Sequence, residues 1–378
     1  MSSTSSLFQP IQVGSITLPN RITMSALTRN RAPGTIPNDL MKEYYLQRKD
    51  AGLIVTEGTL IVRQGTEWPH APGLWDKEQV AGWKNINDAI HAAGGHIYAQ
   101  LWHVGRVAHP DAPEQKLAGT PVYAPSAISA RGGKFRHLPG VPGYVTPTAV
   151  PDPRIIVEQF RVAAQNAKEA GFDGVELHGA NGYIVHQFLD STSNNRTDEW
   201  GGSIENRARF GLEVLKALVE VFGPDVSLKV SPAGGYNDVG MPLEENIATY
   251  KYFLEEADKL GLSYITLVRY SPMLDVKFDD VGRATIHDIL ETYRPFIKNT
   301  KVFANSGVTP EEGEALVSSG KVDAISIGFN FITHPDLVKR VANGKPLNNP
   351  PDFEHLQWGR SEKDAHIGYT DYPEATYN

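Results

Sequence analysis

The chain has 378 residues, 40% hydrophobic and 21% charged, which supplies a full-sized core and shows no compositional sign of disorder. Its 36 basic against 44 acidic residues leave a net charge of −8, which argues against nucleic acid or an anionic membrane surface as partner. It contains no cysteine, so disulfides, thiolate catalysis, thiolate zinc sites and iron–sulfur clusters are excluded.

Taken in chain order, residues 1–10 are Ser-rich without an apolar signal core, and no basic residue precedes Arg21. No apolar run is long enough to span a bilayer, so a soluble, cytoplasmic protein is expected. The stretch FQPIQVGSITLPNRI alternates around Gly14 and predicts a hairpin that plugs one mouth of the fold. Short runs rich in Val, Ile and Leu then predict strands at 22–27, 53–60, 96–102, 174–178, 226–231, 264–268, 302–305 and 324–328. Between them, apolar spacing near 3.6 predicts helices at 78–93, 155–170, 204–221, 244–260 and 285–297. Gly94, Gly171, Gly223 and Gly261 stand where helix C-caps are wanted.

The strand runs are nearly continuously apolar, as for strands covered by protein on both faces. Eight such units predict an α/β fold of the (β/α)₈ TIM-barrel type, one domain over 1–378, with an elaborated loop after strand three at 104–153. Sites in such barrels lie at the C-terminal ends of the strands, so the residues there carry the chemistry.

Those ends read SALTRNR (Thr28), VTEGT (Gly58), YAQLWH (Gln100, Trp102), ELHGANGY (Glu176 to Tyr183), LKVSP (Lys229), ANSG (Gly307) and SIGF (Gly328). Gly307 and Gly328, after the last two strands, match a barrel phosphate cradle in which bare amides approach an anion. The Gln100 amide suits the edge of a uracil-like ring, and Lys229 brings positive charge to the same face. A flat, phosphate-bearing cofactor that becomes anionic on reduction would use all of these. The twelve histidines lack metal-type spacing such as HExxH or HxH.

The segment HGANGYIVHQFLDSTSNNRTDEWGGSIENRARF, 178–210, resembles the old yellow enzyme family of FMN-dependent ene-reductases, and the similarity runs from residue 7 to GYTDYP at Pro373. The resemblance implies a barrel holding FMN, reduced by NADPH or NADH, that reduces the activated C=C bond of a small unsaturated carbonyl or nitro compound. It also implies that Thr28 bonds flavin O4, that Gln100 takes the pyrimidine edge, and that Ala26 and Gly58 line the flavin through backbone groups. His178 and Asn181 would hold the substrate oxygen, with His178 also touching the cofactor, and Tyr183 would donate the proton. Trp68, Trp102 and Tyr236 would be pocket aromatics, with 270–274 a further wall.

In this reading two donors meet a developing oxyanion, and His178 and Asn181 both point inward if their turn is helical. Glu176 lies one layer deeper, as either a buried structural acid or a support for its neighbours. The chain departs from the family at Lys229, where relatives carry arginine near flavin N1/O2, and at Phe329, where they carry an arginine phosphate clamp. FMN is therefore expected to be held largely by backbone amides. The segment 194–207 is read as structural, with Ser203 near a helix start, and His103, His109 and His186 as structural or surface residues. No glycine pair has GxG spacing, so the nicotinamide would dock over the flavin in the substrate pocket. The alternatives are a specialised flavin-barrel biosynthetic enzyme and a non-redox barrel enzyme with a phosphorylated substrate; either a monomer or a homodimer fits the sequence.

Overall fold

The computed structural model describes residues 5–132, 143–357 and 362–377. Eight strands close a parallel barrel in sequence order around the ring: β1 (Ile22–Met24), β2 (Ile54–Leu60), β3 (Ile97–Trp102), β4 (Gly174–Gly179), β5 (Val226–Val230), β6 (Tyr264–Val268), β7 (Lys301–Asn305) and β8 (Ala324–Ile327). Every residue of β2 to β6 is buried, because helices cover the outside and side chains fill the inside. The main covering helices are α1 (Asp39–Gln47), α2 (Lys77–Ala92), α3 (Arg154–Glu169), α4 (Ile204–Phe222), α5 (Leu243–Asp258), α6 (Ile289–Tyr293), α7 (Pro310–Ser318) and α8 (Leu337–Ala342). The four expected C-cap glycines all have φ between +61° and +81°. Ser203 caps α4 by accepting the Asn206 amide at 3.3 Å.

Two elements are shorter than the apolar pattern implies. The first strand stops at Met24 instead of 27, and the chain beyond it leaves the ladder. The buried Glu57 carboxylate takes the amides of Arg29 and Asn30 at 3.3 and 3.2 Å, and Asn30 turns left-handed at φ 58°. The sixth helix begins only at Ile289, where Asp288 caps it, and tightens into a 3₁₀ turn at Arg294–Phe296. Pro295 has no amide hydrogen to continue an α-helical ladder.

The predicted N-terminal hairpin forms from Ile11–Val13 and Ile16–Leu18 around Gly14 at φ +55°. A Cβ on Gly14 would stand 2.3 Å from Asp225 Oδ1, whose carboxylate instead receives the Ser15 amide and hydroxyl at 2.7 Å each. Ile11, Val13 and Leu18 bury themselves against Leu53, Val55, Tyr98, Tyr264 and Phe303. Tyr264 stacks on Phe303 at 4.2 Å and lies 6.0 Å from Tyr98, so this end of the barrel is floored with rings.

The opposite end carries the excursions. The long one after β3 includes a helix at Pro113–Ala118 and a short ladder between Tyr123–Ala124 and Thr148–Ala149; residues 133–142 of it lie outside the described residues. A second excursion follows β6, at 269–288, with Phe278 and Val281 exchanging backbone hydrogen bonds at its tip. Asp238, after β5, ties the excursions together by accepting hydrogen bonds from Arg131 of the first at 2.8 to 3.0 Å and forming an ion pair with Arg283 of the second at 3.2 Å. The chain near its C-terminus is tied down by two buried arginines next to β1. Arg29 donates to the carbonyls of Leu356 and Gly368 at 2.7 and 2.6 Å, and Arg31 to those of Ala365 and His355 at 2.8 and 2.7 Å.

Candidate active site

A cavity of about 580 Å³ opens at the C-terminal ends of the strands. The strand tips supply Ala26 and Thr28, Gln100 and Trp102, His178, Asn181 and Tyr183, Lys229 and Tyr236, Gly307, and Gly328 with Phe329; Trp68 joins them from the loop after β2. Of the residues expected to touch cofactor or substrate, Gly58 does not reach this wall, and the stretch 270–274 supplies Ser271, Met273 and Leu274 to it. It sits at an irregularity in the β2 ladder, and a Cβ there would meet the Trp102 indole at 2.6 Å. Gly58 is therefore a seat for Trp102, with no room for a side chain at that point of the ladder.

β4 delivers its cluster through an unexpected turn. A helical turn after Gly179 would be one way to aim His178 and Asn181 inward; instead Asn181 and Gly182 are both left-handed, at φ 57° and 68°. Three contacts hold that geometry. The Asn181 amide donates to Ser231 Oγ at 2.8 Å, Asn237 Nδ2 donates to the Asn181 carbonyl at 2.9 Å, and a Cβ on Gly182 would strike the Tyr236 carbonyl at 2.6 Å. Tyr183 then starts a short helix, Ile184–Leu189, with its ring edge-on to Trp102 at 5.0 Å and to His178 at 4.9 Å.

The tautomer of His178 follows from its neighbours. Its Nδ1 accepts the Ala180 amide at 3.3 Å, so the proton of the neutral ring sits on Nε2, the remaining edge. Burial holds its pKa well below the ordinary histidine value, with Lys229 and then His186 adding to the effect. A lowered pKa means the ring is neutral, with Nε2–H available, at every pH above that value. The rate of substrate reduction is accordingly expected to show no inflection near pH 6.5 across about pH 6 to 8. Stopped-flow rates over that range check this, and a step near 6.5 that disappears in His178→Asn would contradict it.

Gln100 and Lys229 lie where a ring edge would meet them. Gln100 Nε2 donates to Glu176 at 2.8 Å, and the Lys229 ammonium donates to Ser25 Oγ at 2.8 Å. Burial lowers the Lys229 pKa and Glu176 opposes that effect; burial raises the Glu176 pKa and Lys229 opposes it. The remaining histidines named from sequence are structural. His103 is pushed down to about 3 and His186 to about 4 by burial, and burial also lowers His109.

These residues fit FMN. A buried ammonium that gives only one of its three protons to a described side chain suits a ring that gains negative charge. At the far end, a Cβ on Gly307 would meet nothing nearer than Arg269 Nη2 at 3.7 Å, which leaves the backbone open to a phosphate. Arg269 is a residue that sequence reasoning missed. It is paired with Glu312 at 2.6 and 3.0 Å and donates to the Ser306 carbonyl at 3.0 Å, bracing a turn in which Ser306 sits at φ 76°. Phe329, 41% exposed, lines the same end, and Arg269, its charge matched by Glu312, stands behind the Gly307 turn. Also missed were Ser25, Asn305, Leu356 and Gln357 on the wall. Ser25 and Asn305 lie at strand tips and could have been read there, whereas Leu356 and Gln357 arrive through the arginine-held tail, for which no local pattern exists.

Comparisons with known proteins identify the family. The family model described as "NADH:flavin oxidoreductase / NADH oxidase family" matches residues 6–348. A 12-oxophytodienoate reductase 7 from Oryza sativa subsp. japonica is 37% identical over 383 residues, covering 97% of this chain and 94% of its own. Among solved structures, morphinone reductase in complex with tetrahydroNAD is 38% identical with a TM-score of 0.86, covering 98% of each chain. The old yellow enzyme from Trypanosoma cruzi is 31% identical with a TM-score of 0.88, covering 98% of this chain and 99% of its own.

Proposed function

Because the chain belongs to the NADH:flavin oxidoreductase / NADH oxidase family, we propose that its cavity is an ene-reductase site in which His178, Asn181 and Tyr183 manage the substrate's oxygen and proton. The protein is an FMN-dependent oxidoreductase that draws on NAD(P)H and acts on the activated C=C bond of small molecules. A non-redox phosphate-binding barrel enzyme is not favoured by these relatives.

When bound, FMN supplies the hydride that adds to the β-carbon of the alkene. The residues handle everything else. As negative charge gathers on the carbonyl or nitro oxygen, His178 Nε2–H and the Asn181 side-chain amide donate to it, and each such donor contributes about 3 kcal/mol. Tyr183 gives its phenolic proton to the α-carbon, a step suited to a group that is neutral at working pH. Trp68, Trp102 and Tyr236 flank the alkene and exclude water. Thr28 and Gln100 would hold the oxygen and nitrogen edge of the ring, Ala26 would line it through the backbone, Lys229 would balance its charge, and Gly307 and Gly328 would receive the phosphate. The observation that carries the reading is the meeting of a neutral imidazole, a carboxamide and a phenol on one wall, with a buried ammonium beside the imidazole on the next strand.

Reductant and alkene then use one pocket in turn. Among the described residues no helix is long and apolar enough to cross a membrane. The absence of cysteine suits the reducing cytoplasm, and we read the enzyme as a single-domain monomer or homodimer there. Purified protein is expected to be yellow, to bleach anaerobically with NADPH or NADH, and to recover its colour on adding 2-cyclohexen-1-one, with parallel double-reciprocal lines. Colourless protein that takes up no FMN, or bleached protein that no activated alkene reoxidises, would overturn the proposal.

A further inference from the structure

Glu176 lies at the bottom of the cavity without forming its wall. Its side chain is buried, 2% exposed, above the ring floor of Tyr98, Tyr264 and Phe303. One carboxylate oxygen receives Gln100 Nε2–H at 2.8 Å, from the residue directly opposite it across the β3–β4 ladder, and the other receives the Tyr264 hydroxyl at 3.2 Å. A carboxylate can only accept, so the nitrogen of the Gln100 amide must face Glu176, which leaves Oε1 for the cavity. Lys229 stands on β5 opposite His178 of β4 and Thr266 of β6. The titratable groups around it are Glu176 and His178 from β4 and Tyr264 from β6. Both His178 and Tyr264 are neutral near pH 7, because burial lowers the first and raises the second. Glu176, on the strand beside Lys229 and one inward-facing position deeper, is thus the anion that opposes the burial of the lysine through space rather than by a direct contact.

Resting on the FMN reading above, we propose that Glu176 is a positioning residue for the cofactor: one buried carboxylate turns the Gln100 oxygen toward the cavity, where the ring's N–H edge would meet it, and keeps the Lys229 ammonium protonated on the same wall. Glu176 touches neither ring nor substrate and acts through those two side chains. This gives the acid in ELHGANGY a role distinct from that of the cluster two residues further on.

The test is Glu176→Gln, with FMN affinity measured by fluorescence quenching and the flavin reduction potential followed from pH 6 to 9. A neutral amide lets Gln100 flip and removes the counter-charge of Lys229. FMN binding is expected to weaken about tenfold, and the potential-against-pH line to gain a break that wild type lacks. Adding Lys229→Arg to Glu176→Gln should abolish the break, since a guanidinium keeps its proton throughout. A potential that merely rises uniformly, or a variant identical to wild type in both readouts, overturns the inference. If Glu176→Gln fails to fold, Tyr264→Phe, which removes the other donor to the carboxylate, should produce the same changes at smaller size, and none at all would equally refute it. Wild-type protein that binds no FMN overturns the functional reading as well, whereas wild type that binds alongside an indistinguishable variant overturns this inference alone.

Discussion

Replacing His178 and Asn181 together with alanine is expected to slow enone reduction by about a thousandfold or more, while the folded chain still takes up FMN. Removing one preorganised donor from a developing oxyanion costs about 10²- to 10³-fold. The two groups serve one oxygen, so the double loss falls short of the product of the single ones. Single-turnover reoxidation of the reduced protein by 2-cyclohexen-1-one isolates the step. His178→Asn, which restores a donor in roughly the same place, should recover part of the rate. A double variant within about tenfold of wild type would remove the oxygen clamp from the mechanism.

The second large effect is on stability. Arg31→Met is expected to lower the unfolding free energy by about 3–5 kcal/mol, because buried carbonyls lose a charged donor and gain none. Arg31 donates to Ala365 at 2.8 Å, to His355 at 2.7 Å and to the carbonyl of Arg29 at 2.6 Å. Burial, with Arg29 alongside, lowers it to about 10, so it remains protonated at neutral pH. Its guanidinium also lies 5.0 Å from the centre of the Tyr369 ring, which stacks on Tyr44 at 4.1 Å. Urea titration and limited proteolysis check the result: the midpoint should fall, and cleavage should appear in the 350s. Arg154→Met is the control, since that side chain is 60% exposed in its pair with Glu199 and should leave the midpoint close to that of wild type. Equal midpoints for the two variants would show that the tail is held by its apolar contacts instead.

These two cases mark what the sequence discloses. The barrel is readable because covered strands must be apolar on both faces, and the eight predicted runs differ from the observed strands by three residues or fewer at either end. The site is readable because chemistry in this architecture collects where strands end, and His178, Asn181, Tyr183, Gln100 and Lys229 all stand there. Contacts between distant segments that follow no period stay hidden. Arg29 and Arg31 look like surface charge in LTRNR, yet both are buried and hold chain more than 320 residues away. Glu57 looks like an ordinary strand acid, but it captures two amides and shortens β1. Gly58 looks like an ordinary strand glycine, and only the packed fold shows that the bulk of Trp102 leaves no room for a side chain there. Nothing local distinguishes a left-handed Asn181 from a helical one, because its conformation is set by Ser231 and Asn237 on another strand's loop.

The hairpin at the barrel's other end has a kinetic consequence. With the rings of Tyr98, Tyr264 and Phe303 packed beneath it, the floor admits no traffic, so every molecule must arrive and depart through the same doorway. On the proposed reading that reductant and alkene share one pocket, spent nicotinamide has to leave before the alkene can enter. An excess of either visitor therefore blocks the other, and the enzyme should choke on abundant substrate as readily as on an idle inhibitor.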